Sequence, residues 1–233
     1  MVLHGFTGNP QSMRGLALAL ARAGLTVELP LLPGHGTDVA DMVPTRWEDW
    51  SAAAEEAYVA LAARCDAVVV VGLSMGGTLS VWLGERHPEI AGLVLVNPLI
   101  VPPDADTVAF IDSLVEGGDE LAPGVGSDIA LDGAVESAYP ELPLRAARSL
   151  FGAAAGVEAG LGSVTCPILL FSSTQDHVVA PVSGDRLVEG VKGPVERIVL
   201  ERSFHVATLD YDKDEIEART VQFVTGLLAS RGA

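Results

Sequence analysis

Basic residues are scarce in this chain: Lys and Arg number 14 of 233, against 31 Asp and Glu, for a formal net charge of −17. Phosphate backbones are held by clustered Lys and Arg, so the shortage excludes nucleic acid and argues against docking on anionic membranes. An acidic surface that keeps an apolar-rich protein dissolved is the simpler account of the charge. Cysteine is nearly absent, and Cys65 and Cys166, each beside an expected strand, read as reduced core thiols and not as a disulfide framework. Although 49% of residues are hydrophobic, no apolar run reaches the roughly 18 residues of a membrane-spanning helix. No basic segment leading into an apolar one is visible, so no secretion signal is read and a cytoplasmic location is the expectation. No Cys/His cluster has metal-ligand spacing, and the glycine loop lacks the P-loop lysine. Neither a metal nor an organic cofactor is expected.

What the sequence does have is Gly72-Leu73-Ser74-Met75-Gly76-Gly77 directly after a valine-rich run, Asp66 to Val71. The run reads as a strand buried on both faces, and Thr78 to Arg86 reads as a helix stopped at His87-Pro88. G-x-S-x-G alone arises easily in a glycine-rich protein. Strand, turn and helix in this order make it a nucleophile elbow, with the Ser74 hydroxyl lifted above the sheet edge.

Apolar runs alternate with helical patterns, the mark of a mostly parallel sheet covered on both faces. Strands are expected at 25–29, 68–72, 92–96, 168–171 and 195–200, and helices at 12–23, 47–64, 78–86 and 213–229. Asp212, with Glu215 three residues on, resembles a capping box at the start of the last helix. Between Asn97 and Thr165 Pro and Gly break the rhythm, leaving weakly helical stretches near 107–116 and 144–154. This segment reads as an insertion crossing the top of the sheet. Only Met1-Val2-Leu3 precedes His4-Gly5-Phe6-Thr7-Gly8, where a strand of about five or six residues is usual. N-terminal strands are therefore expected to be missing or shortened.

A serine hydroxyl needs a base, normally an imidazole oriented by a carboxylate. In an α/β-hydrolase arrangement the order along the sequence is Ser, then Asp or Glu, then His. Asp176 follows the strand at 168–171, and His205 follows the strand at 195–200. Both stand at the carboxyl ends of strands, where open α/β sheets carry function. His177 adjoins Asp176 and points elsewhere; His87 reads as a helix-end residue favoured by the dipole. His35, in Pro33-Gly34-His35-Gly36, reads as a loop tie, and Asp210 and Asp212 as loop and helix-start residues. Two backbone N–H groups should face the oxyanion of an acyl-transfer transition state. Met75, after the nucleophile, and Phe6, in the glycine-flanked loop, are the expected donors.

His4 to Pro10, Gly34-His35-Gly36-Thr37, Gly72 to Gly77, Asp176-His177-Val178-Val179 and His205 to Asp212 together resemble the bacterial monoacylglycerol lipase and carboxylesterase group of the α/β-hydrolase family. The resemblance runs nearly end to end and is weakest from 99 to 163. It implies an α/β-hydrolase core at 1–98 and 164–233 with a helical cap at 99–163. It implies Ser74, Asp176 and His205 as the catalytic triad, Phe6 and Met75 as the oxyanion donors, and no cofactor. Glu136 is the position that resembles the group's contact to the alcohol of a monoglyceride, with Glu141 a weaker candidate. The expected activity is cleavage of monoacylglycerols or short- to medium-chain acyl esters through an acyl-enzyme on Ser74. A thioesterase or acyltransferase with the same triad, and a non-catalytic ligand sensor, stay open as alternatives.

Overall fold

The valine-rich run becomes β2 (Val69–Leu73), flanked by β1 (Val2–Leu3) and β3 (Gly92–Val96). Beyond β3 come β6 (Ile168–Ser173) and β7 (Val195–Leu200), giving a five-stranded, all-parallel sheet in the order β1-β2-β3-β6-β7. A two-stranded antiparallel ribbon, β4 (Leu121–Pro123) with β5 (Glu141–Pro143), lies in the segment between β3 and β6. The structure is a computed structural model that describes residues 1–231; the last two positions of the expected core range 164–233 lie outside the described residues. No helix among the described residues is long and apolar enough to cross a membrane.

Alternation along each strand sorts its side chains onto two cores. Val70, Leu93, Leu95, Ile168 and Leu170 face one cluster, and Val69, Val71, Val94, Val96, Leu169 and Phe171 the other. The first is covered by α3 (Trp47–Ala62), α4 (Met75–Arg86) and α6 (Leu144–Gly160). The second is covered by α1 (Arg14–Arg22) and α8 (Lys213–Arg231). Burial on both faces explains why the central strands β2 and β3, and β6 up to Phe171, are continuous apolar runs. The segment from 99 to 163 holds α5 (Ala105–Gly117), the β4–β5 ribbon and α6.

The structure corrects several expectations. No strand forms at 25–29, although the Val2 N–H donates to the Glu28 C=O at 2.8 Å. β1 is too short to give this segment a ladder. The helix expected from Thr78 begins at Met75, because the backbone turns helical immediately after Ser74. Asp212 directs its carboxylate to Arg202, at 2.6 Å, and to the Ser203 hydroxyl, at 2.8 Å, tying the loop after β7 to the start of α8. Two helices were not anticipated: α2 (Val39–Met42) and α7 (Val182–Gly190).

The crossing from β2 into α4 is the tightest point of the fold. A Cβ on Gly72 would lie 2.1 Å from the Gly76 carbonyl oxygen, and one on Gly76 would lie 2.3 Å from that of Leu3. β1, β2 and α4 approach one another over bare backbone. Gly72→Ala is therefore expected to destabilise the protein by at least ~1–3 kcal/mol. Gly152→Ala, at an exposed position within α6 where an added Cβ meets nothing within 4 Å, should stabilise it by about 0.5–1 kcal/mol. Urea unfolding of both variants beside the parent measures the contrast, and equal effects would contradict the steric account.

Candidate active site

Ser74 joins β2 to α4 with φ 54° and ψ −118°. Non-glycine residues in that region carry roughly 1–3 kcal/mol of strain, held only where the surroundings enforce it. Here the enforcement is the glycine crossing just described. Met75 is the first helical residue, so its N–H has no partner within the helix and lies at the positive end of the helix dipole. The loop after β1 packs directly against the serine: a Cβ on Gly5 would lie 3.4 Å from the Ser74 Cβ.

Two buried histidines hold that loop. The His4 Nε2 accepts the Leu32 N–H at 3.2 Å, which puts its proton on Nδ1, donating to the Gly5 C=O at 2.9 Å. The His35 Nδ1 donates to the Pro33 C=O at 2.9 Å, and the two rings meet edge to face at 4.9 Å. Burial pushes His4 down to about 3, with the neighbouring His35 ring adding to it, and pushes His35 down to about 4. Both are neutral. The Phe6 ring completes the cluster against Trp50, with centroids 5.5 Å apart.

Asp176 lies on the loop after β6, its side chain 3% exposed. One carboxylate oxygen accepts the N–H groups of Val178 and Val179, at 2.9 and 2.8 Å. The other accepts from the His205 Nδ1 at 2.8 Å. Because a carboxylate only accepts, that contact places a proton on Nδ1 and leaves Nε2 of the neutral ring as a base. The His205 backbone is held separately. Its C=O accepts from the Asn97 side chain at 2.8 Å, and its N–H donates to the Asp128 carboxylate at 3.0 Å.

Ser74, His205, Phe6 and Glu136 line one cavity of ≈ 400 Å³, with Asp176 behind the histidine. The cavity is mostly apolar, and much of its wall, from Leu99 to Phe151, comes from the segment between β3 and β6. Burial raises the Glu136 carboxyl above its ordinary value, against the pull of His205 and the Ser12 hydroxyl. Glu141, in β5, is exposed and lines none of this space.

The remaining sequence candidates are used elsewhere. His87 caps α4 but makes its contacts to carboxylates, Glu55 at 2.7 Å and Glu89 at 3.0 Å. His177 pairs with Asp128 at 2.8 Å and packs edge to face on Phe204. Asp210, fully buried, accepts the N–H groups of Ala130, Leu131, Phe204 and Tyr211. Sequence reasoning missed Asn97 and Asp128. Asn97 carried one usable signal, a polar residue closing an apolar strand; Asp128 carried none.

Comparison with known proteins agrees with this architecture. The model of the alpha/beta hydrolase family matches residues 1–219, and the chain belongs to that family. It is 42% identical over 226 residues to a thermostable monoacylglycerol lipase of Bacillus sp. (strain H-257), covering 96% of this protein and 88% of the relative. It is 26% identical over 230 residues to a carboxylesterase of Bacillus subtilis (strain 168), covering 97% and 92%. A solved structure from the metagenome-derived lipolytic enzymes LipS and LipT superposes with a TM-score of 0.92 at 42% identity, over 97% of this protein and 92% of the other.

The neutral histidines give stability a definite pH dependence. Their folded values lie below the unfolded value of about 6.5, so the unfolded state binds more protons between about 4 and 6.5. Their contribution is whole above that window and is lost as pH falls through it. Glu85, which burial lifts to about 7, works in the opposite sense, so the test is a difference. His35→Asn should reduce the slope of unfolding free energy against pH by about 1.4 kcal/mol per unit across the window. Parallel slopes for variant and parent would contradict a neutral His35.

Proposed function

We propose that this protein is a serine hydrolase that cleaves carboxylic esters, namely monoacylglycerols or short- to medium-chain acyl esters. The observation that carries the reading is the Asp176–His205 pair opening on the same cavity as the strained Ser74. The 42% identical monoacylglycerol lipase supports the substrate class. The Ser74 Oγ attacks the ester carbonyl as the His205 Nε2 takes its proton. Asp176 keeps the imidazole in the required tautomer and stabilises the imidazolium. Negative charge forming on the carbonyl oxygen is met by the N–H groups of Met75 and Phe6. His205 then gives its proton to the leaving alcohol, and water repeats the sequence on the acyl-enzyme to release the acid.

The cavity divides by chemistry in a way that suits such a substrate. Leu99, Ile111, Leu142, Leu150 and Phe151 offer an apolar bed for the acyl group, while Glu136 offers an acceptor for the hydroxyls of the alcohol. On this reading residues 99–163 form the cap. Ser74→Ala should keep the parent's melting temperature and lose about 10⁶-fold in turnover of p-nitrophenyl butyrate; turnover near the parent rate would remove Ser74 from the chemistry. Glu136→Ala should lower kcat/KM roughly 10–100-fold on monoacylglycerols, the loss of a hydrogen bond to a charged group. The same variant should stay within about threefold on p-nitrophenyl esters, which have no second hydroxyl to lose. An equal loss on both would make Glu136 a bystander.

A further inference from the structure

The His205 backbone is held by residues from two sides of the cavity. From the sheet side, Asn97 at the end of β3 takes its C=O. From the other side, Asp128 in the connection between β4 and β5 takes its N–H at 3.0 Å. The backbone carbonyl of Asp128 accepts the next N–H, that of Val206, also at 3.0 Å. Asp210 answers in the reverse direction, accepting the N–H groups of Ala130 at 2.7 Å and Leu131 at 2.9 Å. Two loops far apart in sequence thus exchange carboxylate-to-amide bonds across one short interface.

The chemistry at Asp128 is that of a clamp. Its side chain is 12% exposed. One oxygen accepts the backbone N–H groups of His205 and His177, and the other meets the His177 ring at 2.8 Å. Hydrogen bonds to an ionised acceptor are shorter and about twice as strong as neutral ones. The base must stay within about 2.6–3.2 Å of the hydroxyl it serves, and a displacement of about 1 Å costs roughly 10²-fold in rate. Asp176 fixes the ring; something else must fix the backbone that carries it.

We propose that Asp128 is a positioning residue for ester cleavage, holding the backbone of His205 from the cap side so that cap and catalytic base form one unit. The inference rests on the hydrolase reading above. It makes the 128–131 stretch a fixed edge of the cap, so that any opening motion takes place elsewhere along the segment.

The test compares the intact parent with Asp128→Ala, Asp128→Asn and Asp128→Ser on p-nitrophenyl butyrate, with circular dichroism and melting temperature for each. Asp128→Ala should lower kcat roughly 10–100-fold while KM stays within about threefold. Asp128→Asn should recover most of that loss, because its carbonyl accepts the same two N–H groups and its NH₂ faces a ring nitrogen that can accept. If the alanine variant fails to fold, Asp128→Ser, too short to span the gap, carries the same expectation. Unchanged kcat in a folded alanine or serine variant overturns the proposal. So does a loss confined to KM, or an asparagine variant no better than alanine. A parent that turns over no ester refutes the hydrolase reading itself; an active parent matched by Asp128→Ala refutes Asp128 alone.

Discussion

Everything at the cavity is referred to the point where β1, β2 and α4 meet without side chains between them. The backbone oxygen of Leu3 occupies the space that a side chain on residue 76 would need, and that of residue 76 does the same for residue 72. This contact forces the Ser74 backbone into its strained conformation and presses the His4–Gly8 loop against it. The serine and the loop amides are therefore set by the same steric fact. The structure can hold such strain because buried side chains pack against both faces of the sheet beneath.

The sheet was legible in the sequence where burial on both faces leaves only apolar residues. The strand at 92–96 falls where expected and the central one is shifted by a single residue. The edge strand at 195–200 also falls where expected, although Glu196 and Arg197 interrupt its apolar run. Legibility failed where tertiary context decides. Leu25 to Leu29 has the composition of a strand but a partner of only two residues. α7 hides its helical period because two of its buried positions are Ser183 and Gly184. The β4–β5 ribbon consists of three-residue pieces ending in proline, which no periodicity argument can find.

The site shows the same division. Ser74, Asp176 and His205 could be named from their positions after strands, and the structure brings the last two within 2.8 Å. The residues that hold the histidine's backbone could not. Asp128 lies 77 positions from His205 and in an irregular segment, so nothing local marks it. Hydrogen bonds between loops depend on where each loop ends up, a property of the whole fold. The buried carboxylate of Asp210 was underread for the same reason: its location beside a helix start suggested a local role, whereas two of its four partners belong to the opposite loop.

The charge lining the cavity bears on how a catalytic cycle would end. Apart from His205, the ionisable side chains facing it are acidic or phenolic, and neither Lys nor Arg contributes to the wall. A neutral ester enters such a space without penalty, but hydrolysis turns it into a fatty-acid anion. On the proposed chemistry, that anion finds no Lys or Arg to hold it and faces the field of Asp128, so electrostatic repulsion helps the spent acid to leave.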